Sequence, residues 1–197
     1  MIAILDSGVA NLSSVAAAFE RMNIKASITS DIASIRAASH VILPGVGTAG
    51  AVMRSLEQKG LKDIIQSLKQ PVLGICLGMQ ILFESSEESG NTSCLGLIPG
   101  CVKKLSVADD MPLPHMGWNR LELQVKNHLL LQGIEEGAYV YFVHSFAAPV
   151  SDTTLASCTY GKPFTAVSGY KNFYGCQFHP ERSGEVGARI LRNFTEL

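Results

Sequence analysis

A cysteine stands between two glycines in Gly74-Ile75-Cys76-Leu77-Gly78, where an apolar run from Pro71 to Ile75 gives way to a helical pattern beginning at Leu77. The arrangement is that of a nucleophile elbow, a tight strand-to-helix turn that exposes the reacting atom. Small residues flank such a turn because it is strained and the neighbouring backbone passes close. A helix N-terminus at Cys76 would favour thiolate over thiol. The competing reading is a buried structural cysteine, since free cysteines are among the most buried residue types. About a hundred residues downstream, a second strand-like run from Tyr174 to Phe178 ends in His179-Pro180-Glu181. Pro180 pushes His179 out of helical geometry. Residues two apart in an extended chain face the same side, so His179 and Glu181 can meet. A thiol nucleophile, an imidazole base and a carboxylate to orient it make a complete triad. Taken alone, His179 reads as a strand-end histidine near a surface glutamate; beside the elbow, the triad is the better reading.

These residues need a scaffold, and the composition allows one. The chain has 197 residues of which 47% are hydrophobic. That is enough for one sizeable core, and residues 1–197 are expected to form a single domain. Sixteen basic and seventeen acidic residues leave a net charge of -1, which gives no electrostatic case for nucleic acid or an anionic membrane. No run approaches the ~18 apolar residues of a membrane span, and Met1-Ile2-Ala3-Ile4-Leu5-Asp6 lacks the features of a signal peptide. The five cysteines form no Cys-x-x-Cys pair and are odd in number, which argues against a disulfide framework and a zinc site. A reducing cytoplasm fits. No metal or cofactor is called for, and no phosphate-cradling loop of the Gly-x-x-x-x-Gly-Lys type is present.

Short strands alternate with helices through the first half. Met1 to Leu5 reads as a strand and Ser13 to Met22 as a helix with Leu12, Val15, Ala16 and Phe19 on one face. Ala26 to Ile28 gives a strand, and Ser30 or Asp31 caps a helix through Ala38. Val41 to Leu43 forms a strand ending at Pro44-Gly45-Val46-Gly47, and helices follow over Ala49 to Lys59 and Leu61 to Lys69. Such alternation argues an α/β fold, a mostly parallel flavodoxin-like sheet with helices on both faces. Active sites in these sheets lie at the carboxyl ends of strands, where the elbow and the 44–47 loop both fall. From Cys94 to Thr165 shorter strands over Cys101 to Leu105, Leu121 to Val125, Tyr139 to Val143, Leu155 to Thr159 and Pro163 to Gly169 suggest an antiparallel extension. A helix from Glu185 to Phe194 closes the chain.

Together, the segments Gly74 to Gln80 and Gln177 to Glu181 resemble the class I, triad-type glutamine amidotransferases. Pro44 to Gly47, Pro114-His115-Met116-Gly117-Trp118-Asn119, Tyr141 to Phe146 and Asp6 to Asn11 narrow the resemblance to the glutaminase subunits of imidazole glycerol phosphate synthases. The resemblance implies a flavodoxin-like fold and hydrolysis of L-glutamine by Cys76, His179 and Glu181. It implies oxyanion donors from the backbone of Leu77 and of the loop at Val46 and Gly47, with Val46 requiring a peptide flip to aim its donor. Gln80 is implied as a substrate-binding residue, bordered by His144, Ser145 and Phe146; His144 also reads as an ordinary strand-end histidine and is not assigned to catalysis. Asn11, Trp118 and Arg182 are implied at an interface with a partner, and Trp118, the only tryptophan, is expected in an irregular surface loop. The implied partner is a (β/α)₈ cyclase subunit forming a heterodimer, which uses the ammonia to make imidazole glycerol phosphate and a purine-pathway carboxamide nucleotide in histidine biosynthesis. Three other readings stay open: a glutaminase subunit serving pyridoxal phosphate or anthranilate synthesis, a free-standing cysteine hydrolase or peptidase of the same fold, and a non-catalytic binding module.

Overall fold

The computed structural model describes residues 1–8, 11–125 and 127–197; Val9 and Ala10 of the N-terminal segment lie outside the described residues, as does Lys126. The first half alternates as its hydrophobic pattern dictates: β1 (Ile2–Leu5), α1 (Leu12–Arg21), β2 (Ala26–Thr29), α2 (Ile32–Ala37), β3 (His40–Gly45), α3 (Ala49–Gln58), α4 (Lys62–Ser67), β4 (Val72–Cys76) and α5 (Leu77–Gln80). Local chemistry sets the boundaries. The Asp31 carboxylate accepts from the Ser34 backbone N–H at 2.8 Å and caps α2. Thr48 caps α3 in the same way, accepting from Ala51.

Among the described residues ten further strands and a closing helix follow. They are β5 (Phe83–Ser86), β6 (Thr92–Ser93), β7 (Ile98–Lys104), β8 (His115–Arg120), β9 (Glu122–Leu123), β10 (Tyr139–His144), β11 (Phe146–Ala147), β12 (Thr154–Tyr160), β13 (Lys162–Tyr170), β14 (Phe173–Cys176) and α6 (Gly184–Phe194). The main sheet runs β2-β1-β3-β4-β14-β13-β12-β9. It is parallel from β2 through β14 and antiparallel beyond. Two apolar clusters cover its faces. One gathers Phe19, Phe142, Phe164, Phe178 and Phe194. The other gathers Val52, Leu56, Ile65, Leu82 and Phe83. Among the described residues no helix is long and apolar enough to cross a membrane.

Four expectations need correction. The antiparallel extension of the main sheet holds only for β9, β12 and β13; β7 joins a four-stranded sheet with β5, β6 and β11, and β10 pairs with β8 in a separate two-stranded ribbon. The strand expected over Leu121 to Val125 shrinks to Glu122–Leu123. The helix after the elbow is a single turn, so it brings a few free backbone N–H groups rather than a developed macrodipole. Lastly, Trp118 lies not in an irregular loop but in β8, paired with Tyr141 of β10. This strand escaped notice because its amphipathicity is inverted: His115 is buried and Asn119 half-buried on the inner face, while Met116 and Trp118 are 63% and 55% exposed.

Candidate functional site

The elbow is strained where its chemistry would lie. Cys76 sits at φ 53, ψ -112, a conformation that side-chain-bearing residues rarely adopt and that costs on the order of 1–3 kcal/mol. Its glycines serve the close approach of three chain segments. A Cβ on Gly78 would lie 1.7 Å from the Leu43 carbonyl oxygen, one on Gly74 would lie 2.5 Å from that of Gly78, and one on Gly45 would lie 2.7 Å from the Gly78 nitrogen. The elbow is thereby pressed against the end of β3, which leads into the loop at Val46 and Gly47. Gly47 takes φ 89, a value open to glycine.

His179 arrives from the neighbouring strand β14, and its backbone N–H donates to the Tyr141 carbonyl of β10 at 2.9 Å. Its Nδ1 lies 2.8 Å from Glu181 Oε1, with the glutamate side chain 2% exposed. The geometry that brings them together differs from the expected extended chain: Pro180–Arg182 form a turn of 3₁₀ helix, and Glu181 folds back within it. The turn is held from behind, since a Cβ on Gly187 of α6 would meet the Pro180 carbonyl oxygen at 1.9 Å. Nδ1 being occupied, Nε2 remains for the hydrogen bond between His179 and Cys76. Burial lowers the His179 pKa, but the bonds and charges of Cys76 and Glu181 outweigh it and hold the imidazolium well above its ordinary range. The second oxygen of Glu181, Oε2, is buried without a hydrogen-bond partner.

A directed amide chain reaches the sulfur from the other side. Phe146 O is a carbonyl and can only accept, so the Gln80 group 2.7 Å from it is the donating Nε2. The same Nε2 donates to Gln177 Oε1 at 3.0 Å, and Gln177 Nε2 in turn approaches Cys76 Sγ at 3.9 Å. Both N–H groups of Gln80 are thereby used, and what its side chain still offers is the acceptor Oε1. The Cys76 thiol also lies 3.8 Å from the Val143 carbonyl of β10.

Cys76, His179, Glu181, Gln80, Val143 and Phe146 line one pocket of about 490 Å³, with Gln177 behind them. Every residue singled out from the sequence except Trp118 lies on its wall, and Asn11 and Arg182, assigned there to a partner interface, are part of the wall too. Trp118 stands on the outer face of the β8–β10 ribbon, its ring 6.0 Å from that of Tyr141. His144 is a buried strand-end residue whose Nδ1 donates to Phe146 O at 2.9 Å. Burial pushes its pKa down to about 3. Three wall residues were not assigned to the site from the sequence, Pro114, Val143 and Glu88. The Glu88 carboxylate accepts from the Ala49 backbone N–H at the start of α3, at 2.6 Å. No local signal distinguishes it from Glu84 or Glu87; only the packing of the 86–92 segment against α3 brings it to the pocket.

An elbow cysteine and a His–Glu pair at the carboxyl ends of adjacent parallel strands define a class of protein, and similarity to known sequences agrees on which. Residues 3–197 match the glutamine amidotransferase class-I family, and the chain belongs to it. It is 51% identical to the imidazole glycerol phosphate synthase subunit HisH of Escherichia coli K12, over 100% of this chain and 99% of that one. It is also 51% identical to the HisH subunit of Shewanella oneidensis, over 100% of this chain and 96% of that one. Among solved structures it resembles one described as a glutamine amidotransferase, with TM-score 0.76 and 16% identity over 99% of this chain and 97% of the other. The structure of PurLQS from Thermotoga maritima aligns with TM-score 0.72 and 17% identity, over 99% of this chain and 97% of the other.

Proposed function

We propose that this chain is the glutaminase subunit of an imidazole glycerol phosphate synthase: it hydrolyses L-glutamine to glutamate and ammonia for histidine biosynthesis. Residues 1–197 act as one domain, in the cytoplasm. The observation that carries the reading is the strained Cys76 held between His179 and a donating glutamine amide in a pocket of about 490 Å³. The Cys76 thiolate attacks the side-chain amide carbon of glutamine. The negative charge that develops on the amide oxygen is met by the Leu77 backbone N–H and by an N–H of the loop at Val46 and Gly47; losing one such donor typically costs about 10²–10³ in rate. The His179 imidazolium gives its proton to the departing nitrogen, and ammonia leaves. Neutral His179 then takes a proton from water, which attacks the thioester and releases glutamate. Glu181 keeps the imidazole in the productive tautomer throughout.

At the amino-acid end of the substrate, Gln80 offers its acceptor Oε1 and Glu88 a carboxylate suited to an ammonium group. His144, Ser145 and Phe146 form the adjoining wall. The outer face of the β8–β10 ribbon, with Met116, Trp118, Tyr139 and Tyr141, suits an aromatic-anchored interface, and Asn11 and Arg182 stand at the pocket wall beside the triad. A (β/α)₈ cyclase is the partner that would receive the ammonia.

The deciding experiment is glutamate release by this chain alone and with the cyclase in the presence of its nucleotide ligand. Strong activation on mixing, lost in Cys76→Ala, is expected. Equal rates with and without the cyclase would refute the partner assignment, and no release in either case would refute the glutaminase reading. The resting loop is read as needing a peptide flip at Val46, so Val46→Gly is expected to raise release by the chain alone; an unchanged rate removes that idea.

A further inference from the structure

At the pocket wall and just behind it lies a pair of imidazoles that the triad chemistry does not use. His115 of β8 and His144 of β10 are 3% and 6% exposed, and His115 Nδ1 lies 3.0 Å from His144 Nε2. Hydrogen bonds at the two ends of this pair determine where every proton sits. At one end, Phe146 O can only accept, so His144 Nδ1 carries a hydrogen and, in a neutral ring, its Nε2 is bare. That bare nitrogen requires a hydrogen on His115 Nδ1, which leaves His115 Nε2 bare in turn. At the other end, the Asn119 amide has its orientation fixed independently: its Oδ1 accepts from the Arg120 backbone N–H at 2.8 Å, and its Nδ2 donates to Thr159 O at 3.0 Å. The remaining hydrogen of Nδ2 points a donor at His115 Nε2, 3.3 Å away, where a bare nitrogen is what the first argument left. Two independent ends therefore yield one proton arrangement. A further proton on either ring sets two donors against each other. The His115 ring is also fixed in plane, stacked between Phe142 at 4.8 Å and Tyr160 at 4.1 Å.

The chain of bonds does not end at the imidazoles. Phe146 O, which His144 holds, is the same atom that takes Gln80 Nε2 at 2.7 Å, and Gln80 leads through Gln177 to the sulfur. We propose that Asn119, His115 and His144 form a neutral, tautomer-locked strut that positions the Phe146 carbonyl, and through it the Gln80 amide, in the glutamine pocket. They are positioning residues and touch no reacting atom. The inverted pattern of β8 follows from this role: its inward face carries the strut rather than core side chains. Burial agrees with the proton count, pushing His115 down to about 4.

The positioning role rests on the glutamine reading of the pocket, but the tautomers do not, and the test separates them. In protein labelled with ¹⁵N-histidine, at pH 7 and without glutamine, both rings are expected to carry hydrogen on Nδ1 and none on Nε2. A ring protonated on Nε2 overturns the strut whatever glutamine does. The second measurement is the glutamine concentration that half-protects Cys76 from alkylation, read on the Cys76 peptide by mass spectrometry. Asn119→Asp replaces the donor facing His115 with an acceptor and is expected to raise that concentration about three- to tenfold, the worth of one or two neutral hydrogen bonds. Asn119→Ala, which only deletes the donor, is expected to raise it about two- to threefold. In a Gln80→Ala background the Asp substitution is expected to change it by less than about twofold, because the route to the pocket is already cut. The same factor in both backgrounds would mean a merely structural effect and would overturn the positioning role. Correct tautomers in a protein that glutamine fails to protect would instead overturn the glutamine reading of the pocket.

Discussion

Gly50 and Gly78 are both buried glycines inside helices, yet adding one methyl group to each is expected to have opposite effects. At Gly50 the new Cβ meets the Arg54 guanidinium at 3.3 Å and Thr92 Oγ1 at 3.5 Å, and the long arginine can move aside. Gly50→Ala should therefore gain the usual benefit of a less flexible unfolded chain, about 0.5–1 kcal/mol. At Gly78 the Cβ falls 1.7 Å from the Leu43 carbonyl oxygen, a backbone atom of β3. Ordinary contact is about 3.5 Å. β3 and the elbow would have to part by nearly 2 Å between strands that are hydrogen-bonded from Val41 to Gly45. Overpacking against movable side chains costs about 1–3 kcal/mol, and a backbone on each side puts this case at 3 or more. For a chain of this length each kcal/mol moves the melting temperature by about 2–4 °C. Gly78→Ala is thus expected to melt about 6–12 °C below the parent protein, and Gly50→Ala slightly above it. Glutamate release should fall about 10²-fold in Gly78→Ala, because the 45–47 loop and the Leu77 N–H are displaced relative to each other. A Gly78→Ala protein melting within about 2 °C of the parent would refute the argument, since the clash admits no side-chain escape.

Glu181→Gln keeps the volume but removes the carboxylate that holds His179, so kcat for glutamate release is expected to fall about 10²–10⁴-fold. The same substitution should lower the urea midpoint, because it takes the carboxylate from a buried imidazolium and puts an N–H group where Oε2 has no hydrogen-bond partner. Cys76→Ala removes one of the two groups that raise the His179 pKa, leaving burial opposed by Glu181 alone, and ¹⁵N titration should show His179 titrating at lower pH than in the parent. Stability itself should fall as pH drops from 6.5 to 5. His115 and His144, depressed to about 4 and 3, and His40 and His128, depressed by burial, bind protons in the unfolded chain that the folded one refuses; each of the first pair costs up to about 1.4 kcal/mol per pH unit. His179 works the other way, its contribution being complete below about 6.5 and lost only as pH rises toward its folded value, so it cannot offset four groups. A urea midpoint flat across that window would contradict the assigned proton states.

What the sequence revealed was chemistry written locally. The elbow is legible because its two glycines and cysteine are adjacent, and the His179–Glu181 pair because Pro180 restricts the chain between them. The parallel half of the sheet is legible because β1, β3 and β4 are apolar on both faces and the helices between them carry apolar stripes. β8 was lost to the same logic, since a strand that buries His115 and exposes Trp118 defeats any reading that sends apolar residues inward. Glu88 was invisible for a different reason. Its place on the pocket wall comes from the fit of its carboxylate to the first turn of α3, a contact between residues 39 apart that no spacing rule encodes. The strut of Asn119, His115 and His144 joins β8 to β10 in the same way, through pairing register rather than sequence proximity.

The β8–β10 ribbon gives that register a mechanical consequence. On its outer face stand Trp118 and Tyr141, paired across the two strands. On its inner side the backbone of β10 touches both members of the nucleophile–base pair: the Val143 carbonyl faces Cys76 Sγ at 3.8 Å, and the Tyr141 carbonyl accepts from the His179 N–H at 2.9 Å. The Ser183 hydroxyl adds a second tie, accepting from the Tyr141 N–H at 3.0 Å and donating to the His179 carbonyl at 2.7 Å. Cys76 is fixed to the main sheet through β4, whereas His179 is fixed to the ribbon as well as to β14. A load on the ribbon would therefore reach the base through the Tyr141 backbone and the Ser183 hydroxyl, and the nucleophile only through the Val143 contact. A protein docked against Trp118 and Tyr141 would press on that linkage without entering the pocket.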